Sequence, residues 1–198
     1  MASSFDNNLR LAEMATGDQP GTWGTQTNTN LSLITDAFKY GSEAIPDASS
    51  ATITMANATA DDARSFYLKC TGGGQACTVT LAPNTVSKVW IIENATSYTL
   101  TFSQGSGANI AVAAGATKMI VTDGGGSSAA VYDALEDLNL GGTPTATNLT
   151  VTSAVTAATL TASTSVKTAL IEYTDGDDAI TIADGGGVEI ATSLDMNG

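Results

Sequence analysis

Apolar residues recur at every second position along most of this chain, and the rhythm changes character twice. Between residues 45 and 138, short alternating runs return about every ten residues with Gly or Asn turns between them, the pattern of many short strands. The runs carry Ile53/Met55, Phe66/Leu68/Cys70, Cys77/Val79/Leu81, Val89 to Ile92, Tyr98/Leu100/Phe102, Ile110/Val112, Met119/Val121 and Val131. Runs such as Thr71-Gly72-Gly73-Gly74 and Asp123-Gly124-Gly125-Gly126 mark the reversals. The expected fold for 45–138 is an antiparallel β-sandwich. Val89-Trp90-Ile91-Ile92 is apolar at consecutive positions, which predicts a strand buried on both faces and central in its sheet.

Residues 1–44 read differently. A loop dense in turn residues, Ala15-Thr16-Gly17-Asp18-Gln19-Pro20-Gly21-Thr22-Trp23-Gly24, precedes a segment in which Leu31, Ile34 and Phe38 fall at helical spacing. One helix is expected over about 27–40, capped by Thr25, Thr27 or Asn28 and stopped by Gly41. Leu9, Leu11, Trp23, Leu31, Ile34 and Phe38 are more apolar surface than so short an arm can bury within itself. Trp23, a large aromatic in a glycine frame, either packs back on the chain's own strands or fills a pocket of a partner or neighbouring subunit.

After a possible helical turn at Ala134 to Leu140 and a hinge at Gly141-Gly142-Thr143-Pro144, residues 139–198 become Ala, Thr, Ser, Gly and Asp with thin alternation. Val151 and Val155 share one parity, and Ile180, Ile182, Val188 and Ile190 another. The slip near Ala157-Ala158 implies a bulge. A few such strands leave a narrow apolar face and open edges that one chain cannot cover. Other copies of the chain, wound into a fibre shaft, are the simplest cover. The alternation runs to the last residue, so more shaft is expected beyond Gly198.

Composition narrows the function. The chain has 198 residues, 42% hydrophobic but only 6% aromatic and 14% charged. Roughly a third is Ala or Thr, which contribute little burial each. The net charge of −13 repels phosphate backbones and anionic lipid, so neither nucleic acid nor membrane insertion is expected. The N-terminus lacks the basic-then-apolar pattern of a secretion signal, which points to synthesis in a cytoplasm. There is no histidine, and with it go the commonest general base and metal ligand. Asp61-Asp62 and Glu136-Asp137 are adjacent rather than flanking a bond to be cleaved. Asp175, Asp177 and Asp178 form either a cation loop or a solvated turn, and they lack an EF-hand's closing Glu. Cys70 and Cys77 both share parity with core residues. A cross-strand disulfide is sterically conceivable, whereas a cytoplasmic origin favours reduced thiols. No catalytic residue, cofactor or metal is expected, and the chain does not read as an enzyme.

The segment Asn8-Leu9-Arg10-Leu11, the run Ala15 to Gly24 just quoted, and Asn28-Thr29-Asn30-Leu31 together resemble the start of tail-fibre proteins of tailed bacteriophages, particularly marine ones. The resemblance continues through Ala60-Asp61-Asp62-Ala63-Arg64 and Val86 to Thr96, and reaches about Leu138. Where such proteins often carry Pro before Ala-Thr-Gly-Asp, this chain has Glu13-Met14. The resemblance implies a structural virion protein in the tail. It implies an N-terminal region docking on a tail adaptor or nozzle protein, a homotrimeric shaft, and a host-receptor tip in distal parts outside this chain. The expected tail contacts are Leu9, Leu11, Trp23, Leu31, Ile34 and Phe38. The expected trimer contacts are Val151, Val155, Ile180, Ile182, Val188 and Ile190. A head fibre or capsid decoration protein built the same way is the alternative.

The parity assignment has a direct test. Ile182→Asp should bury a charge in every chain at one level of the shaft and cost several kcal/mol. Thr181→Asp, one position along on the wet face, should be nearly silent. Dissociation temperatures of the two variants decide it, and a more damaging Thr181→Asp would invert the register.

Overall fold

The computed structural model describes residues 2–136 and Leu138. By contact density the chain divides into two units, Met1–Thr143 and Pro144–Gly198, and the described residues belong to the first. The expected shaft contacts Val151, Val155, Ile180, Ile182, Val188 and Ile190, and the acidic turn at Asp175, lie outside the described residues.

The described unit is mainly β, with one helix and two mixed sheets. The helix α1 spans Trp23–Asp36. Nine strands follow: β1 Tyr40–Ile45, β2 Ser50–Thr54, β3 Tyr67–Gly72, β4 Cys77–Ala82, β5 Ser87–Asn94, β6 Leu100–Ser103, β7 Ile110–Val112, β8 Thr117–Asp123 and β9 Val131–Asp133. The five-stranded sheet has order β1-β3-β5-β8-β9 and the four-stranded sheet order β2-β4-β6-β7.

The expectation of wholly antiparallel pairing is corrected here. Tyr40 pairs with Tyr67 and Tyr67 with Ile91 in parallel, 27 and 24 positions apart. In the other sheet, β2–β4 and β4–β6 are also parallel. Up to β6 the chain alternates between sheets, so each strand meets its neighbour only after a full circuit, running in the same direction. Parallel neighbours need a long connection, and here a strand of the other sheet supplies part of it. Only from β7 does the chain double back, pairing β6–β7, β5–β8 and β8–β9 antiparallel. A strand-turn-strand spacing near ten residues is the same whether the turn closes a hairpin or crosses to another sheet, and so the sequence pattern does not separate them.

The two sheets share one hydrophobic core. Leu68, Cys70, Trp90, Ile92, Ile120 and Val131 enter it from one sheet, and Ile53, Cys77, Val79, Leu81, Leu100, Phe102 and Val112 from the other. β5 is the third of five strands, as its apolar run predicts. Cys70 and Cys77 are buried free thiols. On β8 the expected parity is reversed: Ile120 and Thr122 are buried, while Met119 and Val121 are only half-buried. Thr122 can enter because its hydroxyl donates to the Val86 carbonyl at 2.8 Å. Asn94-Ala95-Thr96 makes a buried turn. The Asn94 amide donates to the Tyr98 and Val112 carbonyls, and its oxygen accepts from the Thr96 amide and hydroxyl.

The helix begins and ends about four residues earlier than its periodicity predicts. Trp23 is its first residue, and Thr22 precedes it without a side-chain cap. Gly41 does not stop it, since it lies inside β1, where the boundary expected at 44/45 also falls. A Cβ at Gly41 would sit 2.2 Å from Ser65 Oγ and 2.9 Å from Ser65 Cβ. The Ser65 side chain occupies the space a Cβ would need, with the Asp62 carbonyl next at 3.1 Å, which is why glycine stands there. Gly41→Ala is therefore expected to cost about 1–3 kcal/mol through overpacking. Thr52→Ala on an exposed strand position should stay within about 0.5 kcal/mol. Urea unfolding midpoints compare them, and a neutral Gly41→Ala would show that Ser65 yields freely.

Candidate functional site

The arm ahead of the helix is fixed to the sheets through backbone groups. Ser4 and Glu13 form an antiparallel bridge that closes residues 4–13 into a loop. The Asn7 side chain braces it, accepting from the Leu9 and Leu11 amides and donating to the Leu11 carbonyl. Asn8 Oδ1 accepts the Ser87 amide at 2.9 Å, and the Arg10 carbonyl accepts the Ala58 amide at 2.8 Å.

The anchor point is Arg64, which is fully buried. Its guanidinium donates to the Leu9 carbonyl of the arm, and to the Ala56 and Thr59 carbonyls at 2.8 and 3.0 Å. It pairs with Asp61 at 3.2 Å. Asp61 in turn caps the single 3-10 turn Asp62–Arg64, accepting the Arg64 amide, and also takes the Ala56 amide. The carboxylate that adjacency with Asp62 brought forward thus has a structural use. Arg64 carries no catalytic or binding signal in the sequence, and only its burial reveals its importance.

Lys88 lies beside this cluster. Its ammonium donates to the Ser65 and Val89 carbonyls at 2.9 and 3.1 Å and stands 4.4 Å from the Trp90 ring centroid. Burial pushes its pKa down to about 7, the Arg64 guanidinium adds to the shift, and Asp61 opposes it. Two cations thus share one carboxylate in a desolvated corner.

The helix meets the rest of the chain along a narrow strip. Leu33 and Ala37 are buried, and so is Ala12 of the arm. The Asn30 side chain clamps Ala12 by accepting its amide and donating to its carbonyl. The segment is rich in Thr, Asn and Ser, poor helix formers. Thr27 and Thr29 hydroxyls bond back to the carbonyls of Trp23 and Thr25. The other side of the helix faces out. Trp23 is 64% exposed, Leu31 57% and Ile34 38%, and Phe38, just past the helix, 78%. On a helical wheel these four fall within about 80° of one another. Of the expected tail contacts, the structure gathers Trp23, Leu31, Ile34 and Phe38 on one exposed side. Leu9 and Leu11 are half-buried in the arm. Trp23 does not pack back on the chain's own strands. Leu33 and Ala37, which hold the helix, carry a weaker sequence signal because they lie to one side of the Leu31/Ile34/Phe38 stripe.

No pocket opens on the described residues, and among them no group of three His, Cys, Asp or Glu could hold a metal ion. No described helix is long and apolar enough to cross a membrane. Compared with family models, curated proteins and solved structures, the chain matches none.

The buried lysine gives a pH prediction. The folded-state pKa near 7 lies below the ordinary 10.5, so the folded protein has released a proton that the unfolded chain still holds. Stability attributable to Lys88 is therefore lowest below pH 7 and rises with pH through that value. The Lys88 contribution to thermal midpoints should climb from about pH 7 towards pH 10.5, where the unfolded chain also releases its proton, and Lys88→Met, which keeps the stem over Trp90, should flatten the climb. An unchanged slope in Lys88→Met would place the titration elsewhere.

Proposed function

We propose that this chain is the attachment-proximal part of a fibre on the tail of a bacteriophage-like particle. The arm and α1 form the anchor. The two sheets, read as a sandwich, act as a spacer. Residues 139–198 begin a shaft shared by three copies, which projects towards a host receptor met by more distal parts. Its role in this reading is mechanical and involves no reaction.

The observation that carries the reading is the exposed side of α1. A 14-residue helix buries Leu33 and Ala37 and leaves Trp23, Leu31, Ile34 and neighbouring Phe38 in water. Single exposed apolar residues are ordinary, but an aromatic-ended stripe on one helix is the form an anchor takes when it lies in a hydrophobic groove. Arg64 supports the same reading from the other side. Its bonds hold the arm to the sheets, so force on the helix passes into the folded body through buried hydrogen bonds. The absence of phosphate-binding or catalytic constellations from the sequence agrees with a mechanical role.

Particles carrying Trp23→Ala together with Phe38→Ala are expected to lose attached chain, at a cost on the order of 3 kcal/mol for each anchoring aromatic. The purified variant should melt like the parent, because both side chains are already exposed. Equal occupancy on variant and parent particles would refute the anchor. Electron microscopy with an antibody against residues 45–138 should label the tail, and label confined to the head would replace the tail assignment with the head-fibre one.

A further inference from the structure

The outward sides of the two sheets differ in chemistry. On the four-stranded sheet the outward strand positions are hydroxylated: Thr52 and Thr54 on β2, Thr78 and Thr80 on β4, and Thr101 on β6, each exposed or half-buried. That is a face built for water. On the five-stranded sheet two rows of outward positions are apolar and in register, bordered by a polar row of Ser42, Lys69, Glu93 and Thr117. Tyr40, Tyr67, Ile91 and Met119 form one row across four strands. Val89, Val121 and Tyr132 form the next. Tyr40 and Tyr67 stack, with ring centroids 5.3 Å apart and planes at 18°. Tyr40 is 58% and Tyr132 49% exposed, at opposite edges of the sheet. Val89, Ile91, Met119 and Val121 are half-buried, yet none belongs to the hydrophobic core.

One carboxylate on this face, Asp123, has no cationic partner, and the remaining charges are paired. Lys69 and Glu93 neutralise each other at 2.9 Å, with the Tyr67 hydroxyl donating to Glu93 at 3.0 Å. Asp123, at the end of β8, accepts the Gly125 and Ala130 amides. The chain as a whole carries −13. Copies of such a chain repel one another across most of their surface, and a basic partner would be drawn to the unpaired acids rather than to this face. A sheet surface with two apolar rows and little net charge is where like-charged copies meet with least penalty, and sheet faces pack on one another about 10 Å apart.

We propose that the outward face of the five-stranded sheet packs against the same face of further copies of this chain. Area bears on the number of copies. Five strands about 4.8 Å apart, with about five residues each at ~3.3 Å, offer on the order of 400 Å². A standard interface uses about 800 Å² per partner. One pair of faces is therefore weak. Three faces closed around an axis divide the same ~400 Å² between two neighbours, so the face by itself gives weak association, and the number three is taken from the trimer of the reading above. The choice of three rests on that reading, whereas the choice of face does not.

Sedimentation equilibrium of the full chain tests it. The parent should approach three times the 19.9 kDa chain mass as concentration rises through the micromolar range. Ile91→Arg in the middle of the face should weaken association at least about tenfold. Tyr132→Arg, on an already exposed edge position, should do the same with an unchanged melting curve, which covers the case in which Ile91→Arg fails to fold. Thr78→Arg on the hydroxylated face and Trp23→Ala on the helix should leave the mass unchanged. A monomeric parent, or association that survives both Ile91→Arg and Tyr132→Arg, overturns the proposal, as does equal loss in Thr78→Arg. Loss in Tyr132→Arg with Trp23→Ala silent supports the face even where particles prove not to depend on Trp23.

Discussion

One guanidinium is the most fully buried of the ties that hold the N-terminal arm to the sheets. Arg64 has no exposed surface, yet it reaches the arm, the loop after β2 and the Asp61 carboxylate at once. Its two terminal nitrogens are met, while Nε is buried without a partner, and removing the side chain would strand carbonyls and a carboxylate together. The tight turn Asp62–Arg64, the close pass of Gly41 against Ser65, and the bond from the Trp90 indole to the Ala63 carbonyl at 2.8 Å all converge on it. Specific hydrogen bonds thus join the arm to the body where apolar area is scarce.

That scarcity runs through the molecule. The chain is rich in Ala and Thr, and the core is assembled from a few large side chains, chiefly Phe102, Leu68, Ile92, Leu100 and Ile120. With so little apolar material, apolar residues left outside the core stand out. Apart from Tyr98, Leu135 and Leu138, they gather in two places among the described residues, on the outer side of α1 and on the outward face of the five-stranded sheet. Both are nearly free of unpaired charge on a strongly acidic chain, whereas the outward face of the other sheet is a field of threonines. Interfaces are expected where desolvation is cheap and repulsion small.

Much of the strand plan was legible in the sequence. Cys77/Val79/Leu81, Leu100/Phe102 and Ile110/Val112 alternate cleanly, and each lies on a strand with the expected residues turned inward. The unbroken apolar run at Val89–Ile92 marked a central strand, but only Trp90 and Ile92 enter the core, and Val89 and Ile91 are half-buried on the outward face instead of the burial on both faces that the run suggested. Where a hydroxyl finds an internal acceptor the signal fails: Thr122 points inward on β8, and parity read from Met119 and Val121 alone is reversed. The helix was foreseen, with Leu31, Ile34 and Phe38 left for a partner, but the residues that hold it to the body were not. Leu31, Ile34 and Phe38 make the stronger stripe, and the weaker pair Leu33 and Ala37 does the packing. Among the anchor residues, Trp23 was visible from its composition contrast, whereas Arg64 and Lys88 look like any surface cations.

Local alternation determined most of the strands and, on all but β8 among those it marked, which side is buried, because side chains on a pleated backbone must alternate and apolar ones leave water. It did not determine pairing. Whether β1 joins β2 as a hairpin or β3 after a full circuit depends on how the connecting turns aim the chain and on which arrangement closes a single core between two sheets. That is a property of all the strands together, and only the tertiary structure decides it. The same holds for burying Arg64 and exposing Trp23: both depend on what lies opposite the side chain in space, which no spacing along the chain records.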